Sequence, residues 1–462
     1  MSHLSVVIDS PDVAEPPVDA RTQRLLQAPI LPLLVKLAWP NILIMLAQAS
    51  TGLIETWWLS RLGMDALAGM ALVFPPVMLM TMISAGALGG GISSAVARSL
   101  GGGKRDVANS LVLHAIVINV VIGVFFSVLF VSFGVPIYRA LGGQGGELAA
   151  ALEYSNVVFA TSVFIWVMNG LASLIRGTGN MWFPAAIICV GAFLLVPLSP
   201  ILIFGFGPIP ALGIAGGGLA YSLYNIGGTI AMLWYILSGR STVKFTWVPM
   251  KWELFATIFR VGAISAIMAV LTNVIIGGVT AIVAAREGAA GVAGFGTGAR
   301  LEYLLIPLIF GIGAPLVALV GANIGAGQND RALKIGLTGG ALAFVLTEII
   351  GVVAAIFPVE WIQLFSADPE TIAVGSAYLR TVGPAYGFFG LGLALYFASQ
   401  GAGKLRWPLI AAFVRVTIAL GAGYLAVQFT GNITTIFFAL AASQIAYGVV
   451  TLVAIRSGAW FR

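Results

Sequence analysis

Long apolar runs separated by short polar breaks fill this chain, and their spacing sets its architecture. A helix needs about 20 mostly apolar residues to cross the hydrocarbon of a bilayer. By that measure the sequence predicts twelve spanning helices. Six lie near 33–58, 66–97, 106–133, 148–175, 181–204 and 213–238. Six more lie near 255–284, 289–321, 330–357, 370–400, 406–428 and 433–456. Residues 239–252, with Arg240, Lys244 and Lys251, are the longest polar interruption and read as a linker. Residues 1–29 are polar, with Asp9, Asp12, Glu15 and Asp19 set among prolines. They lack the basic region and short apolar core of a signal peptide, and a disordered tail is expected there.

The breaks repeat. Residues 101–108 read GGGKRDVA and residues 325–332 read GAGQNDRA, 224 positions apart. Arg176-Gly177-Thr178-Gly179 matches Gln400-Gly401-Ala402-Gly403 at the same offset, as Tyr154 matches Tyr378. Residues 63–69 and 288–294 match at 225. A constant offset at separate places marks two copies of one unit. Each copy holds an even number of spans, so both enter the membrane in the same direction. The expected fold is therefore all-α: a polytopic membrane protein of twelve transmembrane helices in two six-helix bundles. The bundles are parallel repeats related by an approximate twofold axis. Their expected bounds are 30–238 for the N-lobe, 239–252 for the linker and 253–462 for the C-lobe, after the tail 1–29.

Composition agrees: 59% of residues are hydrophobic and 9% charged, against about 25% charged in a soluble domain. The net charge of +6 does not indicate nucleic acid. Most of the 23 Lys and Arg residues fall on the side that holds both termini. The positive-inside rule then places both termini in the cytoplasm of a bacterial inner membrane. Trp57, Trp58, Trp182, Trp247, Trp252, Trp361, Trp407 and Trp460 cluster at predicted helix ends, as interfacial anchors do. The glycine turn 101–105 lacks the spacing and the Ser/Thr of a Walker loop. With only His3, His114 and Cys189 besides, and no catalytic or cofactor motif, the chain is expected to be neither an enzyme nor a cofactor protein. His114 reads as structural. Membrane lipids and a small-molecule substrate are the expected partners, and a monomer the expected state.

Polar groups within spans are costly and mark cavities. Asn41, Gln48 and Glu55 recur every seven residues on the first span, with Thr51 one turn before Glu55. Seven residues is nearly two turns, so they share one face. Glu55 either snorkels to the interface beside Trp57 and Trp58 or lines an inner cavity as a protonatable site. Its counterpart at an offset of 225 is Thr280, and that of Gln48 is Asn273. The second half has its own ionisable set, Arg300, Glu302, Glu348 and Arg415. Arg300 and Glu302 are two apart and do not face each other on a helix. Glu302 is expected to pair with Arg415, either as a structural ion pair or as part of a substrate or proton site.

These residues resemble the multidrug and toxic compound extrusion family. The resemblance lies in Ala38-Trp39-Pro40, residues 51–56, Leu62-Gly63, Leu67-Ala68-Gly69, residues 97–108, 174–179, 198–205 and 323–332. It implies two lobes around a central cleft and cation-coupled export by alternating access. Glu55 stands where the family usually has Asp. The positions that often complete its N-lobe cation site hold Leu195, Ser199 and Tyr221, and the C-lobe acids of the sodium-coupled branch would fall near Thr272, Asn273 and Phe389. The resemblance thus implies Glu55, Ser199 and Tyr221 as the coupling positions, with a transported proton favoured over sodium. Asn41, Gln48, Thr51, Asn273, Arg300, Glu302, Glu348 and Arg415 would line the cavity for an amphipathic or cationic substrate. The alternatives are a sodium-coupled drug antiporter and a flippase for a lipid-linked precursor. The latter needs a basic cleft, to which only Arg300 and Arg415 could contribute.

Overall fold

Glycines at positive φ divide the helices. In the computed structural model, which describes residues 19–461, a short α1 (Ala20–Gln27) precedes α2 (Ile30–Ser60) and α3 (Met64–Gly101). Then come α4 (Arg105–Ala140), α5 (Gly145–Ala160 and Ser162–Gly177, meeting at 51°), α6 (Trp182–Phe204) and α7 (Gly213–Leu237). A helical run Trp252–Gly325 bends back at Gly288, where φ is 63° and ψ −152°, giving α8 (252–287) and α9 (289–325). The chain closes with α10 (Asn329–Ile356), α11 (Pro369–Ala402), α12 (Arg406–Thr430) and α13 (Thr434–Arg456). The twelve elements α2–α13 are the twelve expected spans. Gly103 and Gly327 share φ 72°, and Gly179 and Gly403 have φ 81° and 72°. The two copies thus turn at equivalent glycines, in backbone that a side chain disfavours.

The glycines also show how the lobes are related. Gly101 of α3 packs on the Ala322 carbonyl of α9, and Gly325 of α9 packs on the Arg98 carbonyl of α3. Residues 98 and 322, like 101 and 325, are 224 apart. A contact in which i meets j′ and j meets i′ is what a twofold axis generates. Close packing through small residues also replaces the hydrophobic effect inside a bilayer. Within the lobes, Gly177 lies on Ser93 as Gly401 lies on Val317, and Gly69 on Ala151 as Gly294 on Gly375. The apolar cores cross the sequence boundary. Leu34 and Ala38 of α2 belong to the core of α8–α13, while Ile258 of α8 belongs to the core of α2–α7.

Two expectations are corrected on the face that carries Lys104, Arg105, Arg331, Lys334 and Lys404, called the basic face below. Residues 1–18 of the expected tail lie outside the described residues. Residues 20–27 are helical, because Leu25 finds a buried seat against Gly179 and Asn323 Nδ2 donates to the Leu25 carbonyl at 3.1 Å. Arg331 donates to the Ala28 carbonyl as well. The linker is tied down on the same face. Arg105 holds the Thr242 carbonyl (3.2 Å), Asn109 accepts from the Lys244 amide (2.8 Å), and His114 Nε2 accepts from the Lys251 amide (3.0 Å). His114 is therefore protonated on Nδ1, which donates to the Ser110 carbonyl at 2.8 Å; its structural reading fits. Trp460 is no interfacial anchor: it is 4% exposed and its Nε1 donates to Ser399 Oγ at 3.0 Å.

Candidate functional site

Each lobe contains a carboxylate held by a tyrosine. In the N-lobe, Glu55 sits on α2, half-buried, where α5 and α7 approach. Tyr154 of α5 donates its hydroxyl to Glu55 Oε1 at 3.1 Å. Gly217 of α7 makes room, since a Cβ there would lie 3.7 Å from the same oxygen. Tyr221, one turn on, accepts at its backbone carbonyl from Asn225 Nδ2 at 2.7 Å. Among the described residues Glu55 meets no basic side chain within ion-pair distance. Of the two sequence readings, snorkelling is set aside: the carboxylate turns inward to Tyr154.

The rest of the polar face is graded. Asn41 is fully buried, its Nδ2 donating to the Leu37 carbonyl (3.1 Å) while Oδ1 has no partner. Gln48 is exposed and reaches Tyr224, and Thr51 bonds back to the Ala47 carbonyl. Ser199, on α6 against α2, is 2% exposed with an unpartnered Oγ.

In the C-lobe, Arg415 Nη2 of α12 donates to Glu302 Oε1 of α9 at 3.1 Å, the expected pair. Tyr378 donates to Glu302 Oε2 at 2.9 Å, and the Tyr386 hydroxyl lies 3.5 Å from that of Tyr378. The Arg415 guanidinium also stacks over Phe389, 4.8 Å from the ring centre, and near Tyr447. Thr272, Tyr303 and Leu440 complete a small cavity of about 20 Å³, room for about one water. A π-helical turn, Thr417–Ala422, follows Arg415 directly.

Three further residues expected in the cavity, Arg300, Asn273 and Glu348, do not line the pocket beside Arg415. Arg300, two residues from Glu302 and so on another face, is exposed and sits over the Phe365 ring at 5.2 Å. Asn273 is exposed and bonds back to the Ala269 carbonyl at 2.9 Å; its neighbour Thr272 faces the pocket instead. Glu348 accepts from the Gly387 amide at 2.7 Å. That amide is freed where the 3₁₀ turn Gly383–Ala385, with Pro384, interrupts α11. Glu348 therefore caps a helix restart.

One site residue was missed. Arg176, counted from sequence among the basic loop positions, is 6% exposed and lines a second cavity where the lobes meet, with its repeat partner Gln400. The signal was present: position 176/400 is polar in both copies beside a turn. Below this cavity, toward the basic face, the lobes are bonded together. Ser94 donates to the Gln400 and Gly401 carbonyls, and Arg98 donates to Ser94 and, at 3.0 Å, to the Gly401 carbonyl.

The MatE family model matches residues 40–201 and again 265–425, the two repeats. A FAD transporter of Shewanella oneidensis is 28% identical over 81% of this chain and 82% of its own length. A probable multidrug resistance protein, NorM, of Thermotoga maritima is 26% identical over 84% and 83%. Among solved structures, a MATE protein in a bent conformation superposes with a TM-score of 0.88 at 23% identity, covering 96% of this chain and 98% of that one. An outward-facing multidrug resistance MATE transporter superposes with a TM-score of 0.86, also at 23% identity, over 96% and 99%.

Proposed function

The chain belongs to the MatE family, and on that premise we propose that it is a proton-coupled secondary active exporter of amphipathic small molecules. The two six-helix lobes alternate access to a cleft between them, with the basic face and both termini in the cytoplasm. The basic-face bonds of Ser94 and Arg98 close the cleft on that side.

The observation that carries the reading is the contrast between the two acids. Glu302 is already neutralised by Arg415, whereas Glu55 meets a tyrosine hydroxyl and no cation. A carboxylate partly withdrawn from solvent, with no cation beside it, is costly in its charged form and is relieved by a proton. Proton and substrate then exclude one another by favouring different N-lobe shapes, without touching. Sodium would need several oxygen ligands, and among the described residues Glu55 belongs to no group of three or more carboxylate, histidine or cysteine side chains. The test is efflux of a fluorescent dye from proteoliposomes with a proton or a sodium gradient imposed separately. Export on the proton gradient alone supports the proposal; export only on sodium refutes it.

A flavin dinucleotide is the second reading for the substrate, suggested by the Shewanella relative. It is favoured by Arg176, a buried cation in the cavity between the lobes.

A further inference from the structure

The inter-lobe cavity is lined by residues of both repeats. Its lining residues come as repeat pairs: Arg176 with Gln400, Ser173 with Phe397, and Gly86 with Phe310. The pairs do not match in chemistry. The N-lobe wall is small, polar and cationic, and the C-lobe wall is aromatic.

Arg176 has five N–H donors. The bond given to it is Nη2 to Ser173 Oγ at 3.1 Å, and no carboxylate lines the cavity. Beside it, Ser93 Oγ and Gln400 Oε1 are buried without partners. Gln400 is held in place through its amide nitrogen, which donates to Ser265 Oγ (2.8 Å) and the Tyr396 hydroxyl (2.6 Å). Its oxygen is left without a partner, packed against Gly90. On the opposite wall, Phe310 and Phe397 stand edge to face at 5.4 Å.

A cation at the C-terminal end of a helix also favours the helix dipole, and that alone could explain Arg176. Gln400 argues against it. It occupies the equivalent helix end without a charge, so the position does not require one. A guanidinium buried without an anion is costly, and the side chains around it offer an anion donors and no repulsion.

We propose that this cavity is an anion subsite for the exported molecule. Arg176, Ser93 and Ser173 take its phosphate or carboxylate, the two phenylalanines take an aromatic ring, and Gln400 Oε1 accepts from a ring N–H or hydroxyl. The substrate class is a planar aromatic anion. This deepens the exporter reading and rests on it. In the present packing the cavity measures about 20 Å³, one water's room. Its walls belong to different lobes, so lobe rocking sets its width.

The test uses the full-length protein in phosphatidylcholine nanodiscs, with riboflavin and riboflavin 5′-phosphate as probes. They share one fluorescent ring and differ by the anion. Fluorescence quenching gives the ratio of their affinities. We expect the phosphate form to bind at least about tenfold tighter to wild type, as a charge-assisted pair allows. Arg176→Gln should bring the ratio near one, and Arg176→Lys should keep part of it. If Arg176→Gln does not fold, Ser93→Asp carries the test, because it leaves Arg176 in place and supplies an internal anion. A wild type that binds neither probe, or both alike, overturns the subsite, as does a preference that survives both Arg176→Gln and Ser93→Asp. Gradient-driven dye export is measured on the same preparation. A binding preference without export sinks the exporter reading alone, and export without preference sinks the subsite alone.

Discussion

Tyr154 and Tyr378 stand 224 residues apart, at equivalent places in the two lobes, and each donates its hydroxyl to a carboxylate, at 3.1 and 2.9 Å. The acids they hold are not equivalent. Glu55 comes from α2, the first span of its lobe, and Glu302 from α9, the second of its own. The repeat thus keeps the donor and moves the acid, and an arginine has been added on one side only. The two pockets share a tyrosine and differ in what protonation of the acid would do.

The first expected outcome concerns Glu55. Glu55→Gln, which mimics the protonated acid, should reach the membrane and keep its folded stability within about 1 kcal/mol, since it leaves no buried charge. Gradient-driven export should be lost. Dye efflux from everted vesicles checks this; wild-type rates in the mutant would make Glu55 structural.

Glu302 should behave in the opposite way. Glu302→Ala leaves Arg415, 6% exposed at its side chain, as a buried unpaired cation, and the loss should be roughly 3–5 kcal/mol. The double variant Glu302→Gln with Arg415→Met removes both charges and should recover much of that. Thermal unfolding in detergent of Glu302→Gln, Arg415→Met and the double variant measures the coupling.

The tyrosines separate the lobes more gently. Tyr378→Phe should cost about 1 kcal/mol of stability, the worth of one hydrogen bond, and leave the ion pair in place. Tyr154→Phe removes the donor that Glu55 has, and its mark should be a shifted pH profile of export. Equal effects on export from both variants would count against assigning coupling to the N-lobe.

The bonds near the basic face should set which side of the cleft is closed. Arg98→Ala combined with Ser94→Ala should raise the population open on the basic face. Leu25→Asp should act in the same direction by unseating α1 from Gly179. Replacing Cys189, the only cysteine, gives a background for spin labels at residues 102 and 326. Distances between them should lengthen in both variants, and unchanged distances would remove the gate assignment.

Much of the fold was legible because a bilayer asks for one simple pattern. Twelve apolar runs and a constant offset led to twelve helices, and the offset foresaw the paired turns at Gly103/Gly327 and Gly179/Gly403. The Glu302–Arg415 pair was also readable, since a charge at mid-membrane needs a partner. Direction around a helix was not. The burial of Arg176 depends on α3 extending past the end of α5, so that Ser93 lies level with Gly177. The partner of Glu348 was not legible either, because it is a backbone amide exposed by the break at Pro384, and no side chain announces it. The docking of α1 escaped notice for a related reason: its seats are the Leu25 and Ala28 carbonyls, which every residue possesses.

The reciprocal contact of Gly101 with Ala322 and of Gly325 with Arg98 has an evolutionary consequence. Two separate half-length chains could form the same contact as a homodimer, but every substitution would then appear on both sides of the axis at once. An arginine facing the cavity would face its own copy, and a lone acid would become two. Joining the halves through residues 238–251 frees each position to change alone. Glu55 can then stand without an acidic twin at Thr280, and Arg176 can look across at a glutamine. The covalent link is what allows a symmetric frame to hold an asymmetric site.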